Sequence, residues 1–497
     1  MTIGSGAAAT VGMTPAETVT ARLLDPRGGC TECCRARIGW NGGLFSAIDN
    51  APETEGGGLL AMPPLANAHD HVRGVRPTAL GAYDLPLELW QLNMSGSPRI
   101  DPYLVNLAAL GRSALGGTGS VMVHYTRPQD RTRVVAELES VARAANAIGI
   151  RVAIAVALRD CYPIGYAPEE TLLALLDPED RERVREKLAV TPDSPASQVA
   201  MVEDLAARLE SPTVTVQYGP YGAEWCSDAL LRAIAERSAL TGRRVHMHLL
   251  ESRLQREFLD ARHPGGPVRY LDSIGMLSPR LSVAHAVWLR PEEMELLAAR
   301  GVTVSINTSS NLTLRSGLAP VAQLHAAGVP LAMGMDGFSV DDDDDAYREL
   351  RLNYMLHRGV ALDPGLPLGE LLRFASYGGR RSISGCEEGP GMIAGQSADF
   401  SLLDYAGMAR DLLTAGPGEA SLLAARATAA MLKRMVIAGD DVVVEGRLAR
   451  IDLDEVHREL DAQARHGVQD FLNWQKVAQR LREKLRGFYA AGLHACG

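Results

Sequence analysis

The chain has 497 residues, 46% hydrophobic and 22% charged, with a formal net charge of -10 at pH 7. That length suits one large catalytic domain plus a smaller one, and the composition is ordinary for a soluble globular enzyme. The negative charge argues against a nucleic-acid or anionic-membrane partner, and no run of about 18 apolar residues offers a transmembrane helix.

In chain order, the opening "MTIGSGAAATVGMTPAETV" lacks a basic n-region, so residues 1–20 read as a disordered start and not a signal peptide. The segment "CTECC" holds Cys30, Cys33 and Cys34, but no second C-x-x-C completes a zinc knuckle. With Cys161, Cys226, Cys386 and Cys496 the count is odd and the spacing irregular, as for reduced thiols in a cytoplasm. "ARIGWNGGLFSAID" reads as hairpin strands around N-G-G, so residues 21–60 are the first part of a small β-sandwich. From about residue 60, apolar β-branched runs alternate with helical patterns. The strand candidates are "PLANAHDH", "GSVMVHY", "RVAIAVAL", "TVTVQYG", "RVHMHLL", "LSVAHAV", "VTVSIN" and "PLAMGMD". Eight β-α units predict an α/β fold, a (β/α)8 barrel spanning 61–385. "GMIAGQSADFSLLDY" and "RMVIAGDDVVVEGRLARID" return to strand patterns, so residues 386–452 complete the β-sandwich. The tail, 453–497, is helical and amphipathic, suited to packing or to a homodimer contact.

In such a barrel, chemistry collects at the C-terminal ends of the strands. His69 and His71 end the first strand, two residues apart and therefore on one face. His124 ends the second, and Gln217 and Tyr218 end the fourth. His246, His248 and Glu251 end the fifth, His285 the sixth and Asp336 the eighth. Metal-ligand residue types thus gather at one end of the barrel, pointing to a metal site. On the fifth strand, spacing leaves His246 and His248 both open as ligands.

These residues sit in "NAHDHVRG", "YGPYGAEWCS", "HMHLLES", "AHAVWL", "NTSSNLTLRSGLAPV" and "MGMDG". In this order, from about residue 35 to 455, the motifs resemble the amidohydrolase superfamily. The branch is the one containing cytosine deaminase, S-adenosylhomocysteine deaminase and the triazine hydrolases. The resemblance implies a barrel with a β-sandwich built from both flanks, and a metal-activated water. It places the strand-five ligand three residues before the glutamate, at His248, with His246 one layer deeper. Binuclear members carry a bridging lysine on strand four. This chain has only Lys187, Lys433, Lys476 and Lys484, none in a barrel strand, which implies a single divalent metal per chain. Its ligands would be His69, His71, His248 and Asp336, a set suited to Zn and also to Fe(II).

The resemblance further implies that Asp336 takes a proton from the water, that His285 orients it, and that Glu251 protonates the substrate. The expected activity is hydrolytic deamination of a cyclic amidine, guanidine or amino-heterocycle, releasing ammonia or an amine. Alternatives are hydrolysis of a cyclic amide or a dechlorination on the same fold, and a non-catalytic binding protein. Trp90, His124, Gln217 and Tyr221 are candidate substrate contacts. Tyr221 stands where purine-type relatives carry histidine, which weighs against adenine nucleosides. The run "DDDDD" (341–345) reads as a solvated rim or a helix N-terminus. With no lysine expected near the mouth, the substrate class is a neutral or cationic nitrogen heterocycle, although Arg73, Arg76 or Arg159 could reach the pocket.

Overall fold

A computed structural model of the chain describes residues 17–188, 192–337, 342–362, 365–385, 391–414, 416 and 418–495. Residues 1–16, which make up most of the expected disordered start, lie outside the described residues, as do Cys386, Cys496 and Asp341. Four strands come first: β1 (Glu17–Leu24), β2 (Cys33–Asn41), β3 (Leu44–Asn50) and β4 (Leu59–Met62). The barrel follows as β5 (Leu65–Asp70), β6 (Thr118–Tyr125), β7 (Arg151–Leu158) and β8 (Val214–Pro220), then β9 (Val245–Leu249), β10 (Leu281–His285), β11 (Thr303–Ile306) and β12 (Leu331–Met333). These eight strands hydrogen-bond in sequential order, each to the next, in parallel. Parallel strands are covered on both faces and read as near-continuous apolar runs. β6 shows it, with all eight of its positions buried.

The seam between β12 and β5 is held by the residues just after β12. The Asp336 N–H donates to the His69 carbonyl at 2.8 Å, which fixes the aspartate beside the first histidine. Below the site, Ala66, Met122, Ala153 and Ala155 leave room inside the barrel for Ile383. Ile383 belongs to the helix Gly379–Ser384, which continues a π-helical turn, Phe374–Gly378. A Cβ on Gly378 would lie 2.1 Å from the Leu331 carbonyl oxygen, and one on Gly379 would lie 2.5 Å from Ala66 Cβ. Glycine is what lets this plug seat against β12 and β5.

After the barrel come β13 (Phe400–Asp404), β14 (Leu432–Ile437), β15 (Asp440–Val444) and β16 (Arg447–Leu448). Together with β1–β4 they form one sheet, in the order β16-β15-β14-β13-β4-β1-β2-β3. β4 is the joint, parallel to β1 on one side and antiparallel to β13 on the other. The two layers belong to a single curled sheet. The Ala398 N–H donates to the Gly43 carbonyl at 2.9 Å, and Trp40, Phe45 and Phe400 fill the inside. The C-terminal helices Leu453–His466 and Val468–Ala490 pack on the barrel, where the Trp474 indole donates to the Leu92 carbonyl at 2.8 Å. Among the described residues no helix is long and apolar enough to cross a membrane.

Candidate metal centre

The C-terminal ends of β5, β9 and β10 and the turn after β12 bring His69, His71, His248, His285 and Asp336 together. The backbone there is forced: Val72, Leu250, His285 and Asp336 all have positive φ, between 46° and 75°. For residues with a Cβ this costs about 1–3 kcal/mol each. Asp70, between the first two histidines, supplies part of the restraint. Its carboxylate accepts from the Val72 N–H (2.7 Å), the Asn67 amide (2.8 Å) and the Gly337 N–H (2.9 Å). It therefore ties the end of β5 to the turn that carries Asp336.

Tautomers follow from the outer partners. His71 Nδ1 lies 2.6 Å from the His124 carbonyl oxygen, and His248 Nδ1 faces the Tyr221 carbonyl oxygen. A carbonyl only accepts, so both Nδ1 atoms carry the proton and both Nε2 atoms carry a lone pair. The two Nε2 atoms are 3.4 Å apart, with no proton between them to share. His71 Nε2 is 3.1 Å and His69 Nε2 3.6 Å from Asp336 Oδ1. Four donors in a tetrahedron with bonds of about 2.0–2.1 Å to one ion would stand about 3.3–3.4 Å from one another. Among the described residues, the buried atoms His69 Nε2 and Asp336 Oδ1 have no hydrogen-bond partner. This donor set fits a divalent metal.

Electrostatics agree with neutral ligands. Burial, followed by the neighbouring imidazoles, holds His69 and His248 well below the ordinary histidine range. Burial opposes the Asp336 carboxylate, but its pKa is still held below the ordinary carboxylate range, with the Arg73 guanidinium 3.6 Å from Oδ1, so this group stays ionised. Ser310 donates to its other oxygen at 2.5 Å, leaving Oδ1 for the centre.

Glu251 is fully buried in the wall beside the centre, with Oε2 3.5 Å from His285 Nε2. Burial, then Asp336, Glu88 and Glu224, push its pKa well up, which favours the protonated acid. His285 is held by Asn311, whose side-chain oxygen lies 2.9 Å from Nδ1. His246 lies directly behind His69, with Nε2 2.7 Å from His69 Nδ1 and Nδ1 2.7 Å from Ser282 Oγ. It orients His69 through a chain in which the Ser282 hydroxyl donates onward to the Val245 carbonyl of β9 at 3.4 Å. Spacing alone did not separate His246 from His248. The difference is depth along β9.

A cavity of about 500 Å³ opens on this centre, lined by His71, His248, Glu251 and Asp336 among others. Trp90 and Tyr221 line it too. The Trp90 indole is anchored on the Ala82 carbonyl at 2.9 Å. His124 and Gln217 are not among the described residues lining it. His124 is fully buried beneath His71 and His248, with Nε2 3.1 Å from the Gly219 carbonyl oxygen. Gln217 points into the lower barrel, its amide donating to Ser382 O (3.0 Å) and Ile383 O (3.1 Å).

The described residues of the acidic run, 342–345, are not among those that line the cavity, and they lead into a helix N-terminus. Asp344 pairs with Arg112 at 2.7 Å, and Asp345 caps the helix Ala346–His357. The wall instead carries Lys187 with Arg73, Arg127, Arg131 and Arg159. Arg73, Arg127 and Arg159 follow β5, β6 and β7, and Lys187 lies in the helix Pro178–Leu188, so closing the barrel brings these cations together.

Comparisons with known proteins agree with this architecture. Residues 60–448 match the model of the amidohydrolase family. The chain is 28% identical over 440 residues to a 5-methylthioadenosine/S-adenosylhomocysteine deaminase of Moorella thermoacetica, covering 86% of this chain and 92% of that protein. It is 29% identical over 365 residues to a 5'-deoxyadenosine deaminase of Methanothermobacter thermautotrophicus, covering 70% and 74%. Among solved structures it resembles an adenosine deaminase from Xanthomonas campestris with bound zinc, at TM-score 0.72 and 23% identity over 92% of this chain and 98% of that one. An atrazine chlorohydrolase from Arthrobacter aurescens, complexed with zinc, superposes at TM-score 0.69 and 21% identity, covering 86% and 95%. With a family match running from β4 through β16, across the barrel and the part of the curled sheet from β4 onward, the chain belongs to the amidohydrolase family.

Proposed function

We propose that the protein is a metal-dependent hydrolytic deaminase acting on the amidine C=N of an aminated nitrogen heterocycle. The observation that carries this reading is the set of inward lone pairs on His69, His71, His248 and Asp336, spaced like tetrahedral edges, beside the buried Glu251, whose pKa burial pushes up. One divalent metal per chain, Zn before Fe(II), would be held by those four residues. When bound, it supplies Lewis acidity that makes a water nucleophilic near neutral pH. Asp336, ionised and open at Oδ1, accepts the proton that water releases. His285, fixed through Asn311, orients the attacking water. Glu251 donates its proton to the ring nitrogen, which makes the amidine carbon electrophilic; Asp336 then passes the proton it took to the departing amine, and Glu251 recovers a proton from the hydroxyl as the carbonyl forms. Trp90 and Tyr221 flank the ring.

The relatives act, by name, on adenosine derivatives, so adenine nucleosides join the substrate panel despite Tyr221. A homodimer contact fits the exposed Val468 and Leu472, one turn apart on the C-terminal helix, and size-exclusion chromatography decides it. The deciding experiment combines metal analysis with ammonia release over adenine nucleosides, aminopyrimidines, aminated triazines and cyclic guanidines. Metal content without ammonia or amine from any of them would sink the deaminase reading.

A further inference from the structure

The helix Val468–Ala490 lies beyond residue 448, where the family match ends. Phe471, Trp474, Ala478, Leu481 and Leu485 are buried at three- and four-residue intervals, so one face of the helix is turned inward. That face stands behind the wall of the cavity. Phe471 shares a buried cluster with Leu87, Trp90, Met94 and Leu314, and all four of these line the cavity. One turn on, the Trp474 indole donates to the Leu92 carbonyl at 2.8 Å and the Gln475 amide to the Asn93 carbonyl at 3.2 Å. A Cβ on Gly96 would lie 2.1 Å from Trp474 Cδ1, so wall and helix meet without spare room. Near the helix end, Tyr489 Oη accepts from the Tyr166 N–H at 3.3 Å, and Pro163 and Ile164 just before it line the cavity. Arg480 pairs with Asp180 at 2.6 Å, on the helix that carries Lys187. One helix thus backs cavity-lining stretches that follow β5, β7 and β11.

We propose that the helix Val468–Ala490 is part of the substrate site, with Phe471 and Trp474 as positioning residues that fix the Trp90 wall against which the heterocycle binds. Neither residue is among those lining the cavity, so both act through Trp90 and the backbone of 92–96. The Trp90 wall stands on the long connection from β5 to β6, and a connection without backing samples many shapes. A wall fixed in advance gives up little freedom when a ligand arrives. Loosening it weakens binding and leaves the chemistry at the metal unchanged. The amphipathic tail, expected to serve packing or a dimer contact, thereby enters the binding of substrate. The proposal rests on the deaminase reading only for the reacting end of the cavity.

The test uses the full-length, metal-loaded protein with Phe471→Ala, Phe471→Leu and Trp474→Phe, the last removing the indole donor while keeping a ring. For the heterocycle that releases ammonia fastest, Phe471→Ala should raise KM at least tenfold while kcat and metal content stay within threefold of the parent. Phe471→Leu should recover most of the loss, and Trp474→Phe should fall between. Hydrogen exchange at residues 87–99 should quicken at least tenfold in Phe471→Ala, with β9 and β10 unchanged. Calorimetry with two deaminated products, inosine and uracil, separates the two claims. Product binding that weakens in Phe471→Ala, with no ammonia from any compound, would support the role of the helix and sink the deaminase reading. Unchanged exchange at 87–99, or exchange that quickens equally in the barrel strands, would overturn the proposal. Ammonia release with KM and product affinity equal to the parent would overturn it and leave the deaminase reading intact. Absence of ammonia together with absence of binding by both products would overturn it as well.

Discussion

His71 and Glu251 lie on the same cavity wall, yet their removal should have different effects. His71→Ala deletes a donor of the tetrahedral set, so metal content after dialysis should fall sharply. Glu251→Gln keeps the metal and lowers kcat by about 100-fold or more, because it removes the proton donor. Equal metal loss in both variants would show that Glu251 is a ligand. One shell out, His246→Ala leaves His69 without the partner that fixes its tautomer. Metal affinity should drop by about 10–100-fold with His69 itself intact, as read by chelator competition. An unchanged affinity would mean that His69 is oriented by packing alone. At this scale the sequence was informative about residue type and strand end, and much less so about depth. Alternation puts Gln217, His246 and His248 on the inner face but says nothing of height. Gln217 proves to lie low, against Ser382 and Ile383, while His248 reaches the cavity. The roles of Asn67, Asp70 and Ser282 were illegible, because each acts through a partner distant in the chain or through a backbone group.

All eight barrel strands were legible as elements, because burial on both faces leaves apolar runs bounded by polar or glycine residues. β12 shows the limit: its three residues are preceded by Pro330 and followed by an irregular turn, and Asp336 lies in that turn beyond the strand. The plug helix was illegible. Its fit depends on a π-helical turn and two glycines whose need appears only when Leu331 and Ala66 are beside them. Gly378→Ala tests that fit. The new Cβ would meet the Leu331 carbonyl at 2.1 Å, a backbone group that cannot swing aside. Overpacking of this kind costs about 1–3 kcal/mol, so thermal unfolding should show a Tm lower by several degrees. A Tm within one degree of the parent would mean that β12 and the plug can separate freely.

For the molecule as a whole, buried carboxyls set the dependence of stability on pH. Glu224 is fully buried, and burial pushes its pKa up to about 8, from 4.5. Glu349, buried under Ser309 and Asn353, is pushed up to about 7. An acid whose folded pKa is raised stabilises the fold fully below its unfolded pKa. That stabilisation is lost as pH rises through the folded value. The contribution of these two acids to Tm therefore falls as pH rises from about 4.5 to about 8, and at constant metal saturation Glu224→Gln should remove part of that fall relative to the parent. Identical slopes would show that Glu224 titrates like an exposed acid. The curled sheet has a consequence for synthesis. β4 emerges from the ribosome early, pairs with β1, and then waits with its other edge open until residues 400–404 have been made. The whole barrel is translated during that wait. An unpaired edge held open this long is a template for a neighbouring nascent chain. Chains terminated between β12 and β13 should therefore join one another through β4, so aggregation in the cell would come from shortened products more than from unfolding of the finished protein.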